Sequence, residues 1–145
     1  MDKGKNHKAN IMIVEDEKIV AQHIQNVLED LGYVIVAVAH SGSEAIAEAL
    51  QKKPNLILMD INLRDGVDGI DAISEIKKNF SVPVVYITAY ADSQILQRAK
   101  ETEPFYYIVK PFEEHELNAA IEIALHNQLM EKKLNMEING ASLDD

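Results

Sequence analysis

The chain is 145 residues long, carries a formal net charge of −10 and is 47% apolar, which fits one domain with a real core rather than a disordered acidic segment. Its longest apolar run, Tyr33 to Ala39, is far short of the ~20 residues of a membrane span, and no secretory signal opens the sequence. Zero cysteines exclude disulfides, thiolate metal sites and a cysteine nucleophile, and the acidic balance opposes direct nucleic-acid binding, so the expectation is a cytoplasmic domain with no membrane partner.

Residues 1–10 are polar, hold three lysines and read as a flexible leader. Ile11–Val14 is the first short apolar run. Val20, Ile24, Val27, Leu28 and Leu31 then form a helical stripe, closed by Gly32 in a C-cap position. A second run, Val34–Ala39, precedes Ser41 and Glu44, whose spacing predicts a capping box for a helix through Ala45, Ile46, Ala49 and Leu50. Pro54 stops that pattern. The third run is Leu56–Met59, and Asp68 is placed to cap a helix holding Ile70, Ile73 and Ile76. Val84–Thr88 follows, then a helix marked by Ile95, Leu96 and Ala99, then Phe105–Val109. Leu117, Ala120, Ile121, Ala124 and Leu125 mark a fifth helix that runs on through Leu129 and Met130. Past Lys133 the stripe is lost, and the sequence reads as a loose tail.

The runs are nearly continuous in hydrophobicity, as in strands buried on both faces of a parallel sheet. The alternation predicts an α/β fold: a three-layer, doubly wound (βα)5 unit with a five-stranded parallel sheet, flavodoxin-like order 2-1-3-4-5. One domain covers residues 11–128, and 129–145 form a helix extension and loose tail.

Open parallel sheets bind ligands outside the carboxyl ends of their strands. There stand Glu15-Asp16-Glu17 after the first strand, Asp60 at the end of the third, Thr88-Ala89 after the fourth and Lys110-Pro111 after the fifth. Singly, each has a plain structural reading as a helix-terminal charge, a cap, a strand former or a loop. Together they place about −3 of carboxylate charge in one pocket, which disfavours ionisation unless cations balance it. Lys110 brings one positive charge, and Mg2+ suits an all-oxygen, partly hydrated remainder. Acids, a lysine and a hydroxyl so arranged are what phosphoryl transfer to a carboxylate requires.

Val14-Glu15-Asp16-Glu17, Leu58-Met59-Asp60-Ile61, Ile87-Thr88-Ala89 and Val109-Lys110-Pro111-Phe112 resemble the signature of response-regulator receiver domains of two-component signalling, from about Ile11 to Gln128. The resemblance implies a signalling receiver rather than an enzyme, with Asp60 accepting a phosphoryl group from a histidine kinase or phosphotransfer protein. It implies Mg2+ held by Glu15, Asp16 and Asp60 with the Asn62 backbone carbonyl. Lys110 resembles the lysine that pairs with the acceptor, followed by a cis Pro111, and Thr88 the switch hydroxyl. Tyr107 resembles the aromatic that turns with Thr88, and Ala89 the small residue at the pocket mouth. Asn62 and Tyr90 occupy positions that tune the phosphoaspartate lifetime. The face of the fourth helix, fifth strand and fifth helix is then the expected surface for a homodimer or an adjoining domain.

Two departures stand out. The loop from Ile61 to Gly69 lacks the frequent proline four residues after Asp60 and is a residue longer than usual, and Glu103-Pro104-Phe105 replaces the usual Gly-Ala before the fifth strand. A receiver module of a larger hybrid sensor kinase or regulator is an alternative for the whole chain. An aspartyl-phosphate phosphatase is a weaker one, since such enzymes want an acid at position 62, where Asn stands. His7, His23, His40, His115 and His126 lack paired metal spacing and read as surface or helix-face residues.

Overall fold

The computed structural model describes residues 9–64, 66–89 and 93–144, the side chains at 135 and 137–144 excepted. Five strands alternate with five helices: β1 (Asn10–Val14), α1 (Lys18–Asp30), β2 (Val34–Ala39), α2 (Gly42–Lys52), β3 (Leu56–Asp60), α3 (Gly69–Lys77), β4 (Val84–Thr88), α4 (Ser93–Glu101), β5 (Tyr106–Val109) and α5 (Glu114–Asp144). The strands pair in parallel in the order β2-β1-β3-β4-β5, the doubly wound arrangement expected from the alternation.

Strand alternation divides the core into two layers. Ile11 and Ile13 of β1 pack with Ile24 and Leu28 of α1 and with Leu117 and Ile121 of α5. Met12 and Val14 point the other way, onto Ala45 and Ala49 of α2, Ile73 and Ile76 of α3 and Ala99 of α4. Each fully buried Ile or Leu contributes about 1.5–3 kcal/mol of transfer free energy, so these two layers hold the sheet rim in place. β5 departs from burial on both faces: Ile108 is buried, while Tyr106, Tyr107 and Val109 are exposed. β2 and β5 are the edge strands, each with a sheet neighbour on one side only, and β2 too is largely half-buried, with Val34 exposed.

Local signals act largely as the residue types demand. Gly32 adopts φ +99 just past α1, the left-handed conformation glycine favours. Ser41 Oγ accepts from Glu44 N at 3.1 Å, while Glu44 Oε1 accepts from His40 N at 2.8 Å. The reciprocal bond thus reaches one residue further back than a standard capping box. Asp68 Oδ1 accepts from Asp71 N at 2.9 Å and caps α3. Gly69 is needed for close approach, since a Cβ there would overlap the Asp60 carbonyl oxygen. This pins the loop after the acceptor strand against that strand.

Two boundaries differ from the sequence expectation. Asn10 is the first residue of β1 rather than the last of the leader, and its N–H donates to Asn55 Oδ1 at 2.8 Å; residues 1–8 lie outside the described residues. α5 continues to Asp144 where a loose tail was expected past Lys133. The segment contains no proline, and an apolar stripe is needed for packing, not for helix itself, so losing the stripe does not end the helix. Among the described residues, Ala124 is the last that α5 buries, and Leu129, Met130, Leu134 and Met136 are exposed beyond it. No helix among the described residues is long and apolar enough to cross a membrane.

Candidate functional site

The ends of β1, β3, β4 and β5 bring Glu15, Asp16, Asp60, Thr88 and Lys110 to one rim. Glu15, Asp60 and Thr88 are buried although polar, which is costly unless each is bonded. Lys110 Nζ lies 3.0 Å from Glu15 Oε1 and 3.7 Å from Asp60 Oδ2. Glu15 Oε2 accepts from Glu17 N at 3.1 Å, and Asp60 Oδ1 accepts from Asn62 N at 2.9 Å. The Lys110–Pro111 peptide is cis.

These contacts do not fully offset the crowding of negative charge. Burial, and then the charge of Asp60, push the Glu15 carboxyl up from 4.5 to about 7. Burial likewise raises Asp60, against the pull of the Asn62 N–H and Lys110. Burial works against the charge of Lys110, yet its bond to Glu15 and the charge of Asp60 raise its pKa overall. The fold thus works against ionising Glu15 and Asp60 together, a cost that a bound cation would relieve.

The donor set fits such a cation. Glu15, Asp16 and Asp60 each turn a carboxylate oxygen to within 4.8 Å of the others. Asp16 Oδ2 is buried and accepts no hydrogen bond; its nearest charge partner is Arg64 Nε at 3.5 Å, on a side chain 79% exposed. Three carboxylates with one under-satisfied buried oxygen suit a hard, oxygen-seeking divalent ion such as Mg2+.

The structure thus brings together Glu15, Asp16, Asp60, Thr88, Ala89 and Lys110 as the sequence reading expects. Tyr107 is exposed on β5, its ring stacked at 6.1 Å on Tyr106. Tyr90 lies outside the described residues. The contacts of three residues were not legible in the sequence. The Asn62 side chain bonds Thr88 and its neighbour: Asn62 Oδ1 accepts from Thr88 Oγ1 at 3.0 Å and from Ala89 N at 3.2 Å. His40, which reads as a surface residue, sets its Nδ1 2.9 Å from the Glu15 carbonyl oxygen and so braces the acid pair. Arg64, where the loop lacks proline, spans Asp16 and Glu17. Position at the end of β2 was the available signal for His40; for the other two, loop residues without periodicity offered none.

Residues 11–122 match the family model of the response regulator receiver domain. The chain is 40% identical over 119 residues to the phyllosphere-induced regulator PhyR of Methylorubrum extorquens, covering 81% of this chain and 44% of that one. It is 37% identical over 115 residues to the transcriptional regulatory protein PdtaR of Mycobacterium tuberculosis, covering 79% and 56% respectively. Among solved structures, the signal receiver domain of a modulated diguanylate cyclase from Desulfovibrio desulfuricans G20 superposes with a TM-score of 0.80 at 33% identity, covering 85% of this chain and 98% of that one. The chain spans about half the length of the curated relatives it matches.

Proposed function

Because this chain belongs to the response regulator receiver domain family, we propose that it is a phosphorylation-driven switch whose acceptor is Asp60. The observation that carries this reading is the convergence of three buried or half-buried carboxylates beside the Lys110 ammonium. Asp60 takes its phosphoryl group from a phosphohistidine of a kinase or phosphotransfer protein, in the cytoplasm. A carboxylate oxygen attacks phosphorus in line, the P–N bond breaks, and the departing imidazole takes up a proton from water.

Asp16, Asp60 and Glu15, with the backbone carbonyl of Asn62, would hold Mg2+. When bound, the ion draws charge from the transferring phosphoryl oxygens and allows the carboxylates to ionise together. The Asn62 N–H orients Asp60 by fixing Oδ1, which leaves Oδ2 on the side of Lys110. Lys110 then shifts its charge from the acceptor carboxylate to the phosphoryl oxygens. Thr88 donates its hydroxyl hydrogen to the same group.

Movement of Thr88 makes room for Tyr107 to turn in from the exposed face of β5, a shift between two packings. The face of α4, β5 and α5 changes shape, and an adjoining domain or a second copy reads the change. Ala89 keeps the pocket mouth open to the donor, and Asn62 and Tyr90 set the lifetime of the acyl phosphate. Residues 11–128 form the receiver, and the α5 extension from residue 129 serves linkage or assembly.

The test is chemical. Incubation with acetyl phosphate and Mg2+ adds one phosphoryl mass to the wild type and none to Asp60→Asn. Full labelling of that variant overturns the assignment.

A further inference from the structure

Asn62 engages the pocket with both its backbone and its side chain. Its N–H binds the acceptor carboxylate at 2.9 Å, while its side-chain oxygen collects the Thr88 hydroxyl and the Ala89 N–H at 3.0 and 3.2 Å. Thr88 is fully buried, so water does not stand in freely for either partner. A threonine hydroxyl has one hydrogen to donate. It therefore serves the amide oxygen of Asn62 or a phosphoryl oxygen on Asp60, not both.

We propose that the Asn62 side chain is a latch that holds Thr88 and the start of the β4–α4 connection in the unphosphorylated packing, and that phosphorylation works by outcompeting it. This rests on the reading of Asp60 as acceptor. The competition has a definite direction. A phosphoryl group brings three acceptor oxygens and about two negative charges, and bonds to ionised acceptors are roughly twice as strong as neutral ones. The charged group wins the hydroxyl when present, and the neutral amide keeps it otherwise. The same residue touches Asp60 through its backbone, so the latch sits where the phosphoryl group arrives. A purely structural tie between loop and strand has no such direction.

Removing the latch shifts the free protein toward the phosphorylated packing. A net neutral hydrogen bond corresponds to about a fivefold change in such an equilibrium. The test uses amide resonances of Thr88 and Ala89 in the full chain, free and after acetyl phosphate with Mg2+, with intact mass recorded on each sample. Asn62→Ala without phosphodonor moves both resonances from the free wild-type positions toward the phosphorylated ones, equivalent to about fivefold more of that packing. Asn62→Asp keeps an acceptor and makes it anionic, so its resonances stay at the free positions or move away from the phosphorylated ones. Resonances of Asn62→Ala that remain at the free positions overturn the latch, as does movement of both variants in the same direction. If Asn62→Ala fails to fold, Asn62→Asp decides alone: movement toward the phosphorylated positions overturns the proposal. A wild type that gains no phosphoryl mass removes the acceptor reading and the latch with it. A wild type that gains the mass while Asn62→Ala stays unmoved removes the latch alone.

Discussion

Replacing Asp60 by Asn removes a buried negative charge from a pocket that holds too many, and this makes stability a measure of the electrostatics. Glu15 rises from 4.5 to about 7 in the fold, and Asp60 rises too. A carboxyl with a raised folded pKa binds more protons folded than unfolded. Its stabilising contribution is complete below 4.5 and is lost as the pH climbs through about 7. At roughly 1.4 kcal/mol per tenfold, ionising Glu15 in place costs about 3 kcal/mol by pH 8. Burial is the larger cause of that cost and the Asp60 charge the second, so removing the charge returns about 1 kcal/mol through Glu15. Relief of the burial cost of Asp60 itself is set against its lost attraction to Lys110, which is 3.7 Å away and keeps its closer bond to Glu15. Without divalent metal, Asp60→Asn is therefore more stable than wild type by about 1–2 kcal/mol at pH 8, and the gain is smaller at pH 5. Urea titrations in EDTA at the two pH values measure the difference. A variant less stable at pH 8, or a gain that does not change with pH, refutes the reasoning.

Lys110→Met leaves Glu15 and Asp60 without the ammonium between them, and destabilises the fold by about 2 kcal/mol at pH 8 and less at pH 5, read in the same titrations. Asp16→Ala removes the under-satisfied buried oxygen, so Mg2+ binding by calorimetry falls at least about tenfold while the far-ultraviolet spectrum stays that of the wild type. Truncation after Gln128 removes a helix segment that lies beyond the last buried residue of α5. It costs less than about 1 kcal/mol and leaves labelling of Asp60 intact, while light scattering shows any change in association.

The fold was legible where hydrophobic pattern and covered sheet agree. Ile11–Val14 and Leu56–Met59 read as strands because buried parallel strands exclude polar residues from both faces, and Asp68 reads as a cap because its side chain competes for backbone N–H groups. The end of α5 was not legible, since the extension past Ala124 buries nothing that would leave a stripe. Exposure of Tyr106 and Tyr107 was equally hidden, because an edge strand carries the same β-forming residues as a central one. Within the site, the carboxylates, the hydroxyl and the lysine followed from their positions at strand ends. The side-chain bonds of Asn62 and His40 did not, because each depends on a direction in space that sequence separation does not encode.

The most direct measurement is the location of the phosphoryl group. The intact chain is incubated with acetyl phosphate and Mg2+, treated with hydroxylamine, and digested for mass mapping. Hydroxylamine attacks an acyl phosphate and leaves a hydroxamate, whereas it spares phosphate esters of serine or threonine. A hydroxamate at Asp60, absent from samples prepared in EDTA, is the expected result. A stable phosphate on another residue, or equal labelling in EDTA, contradicts the assignment of this pocket.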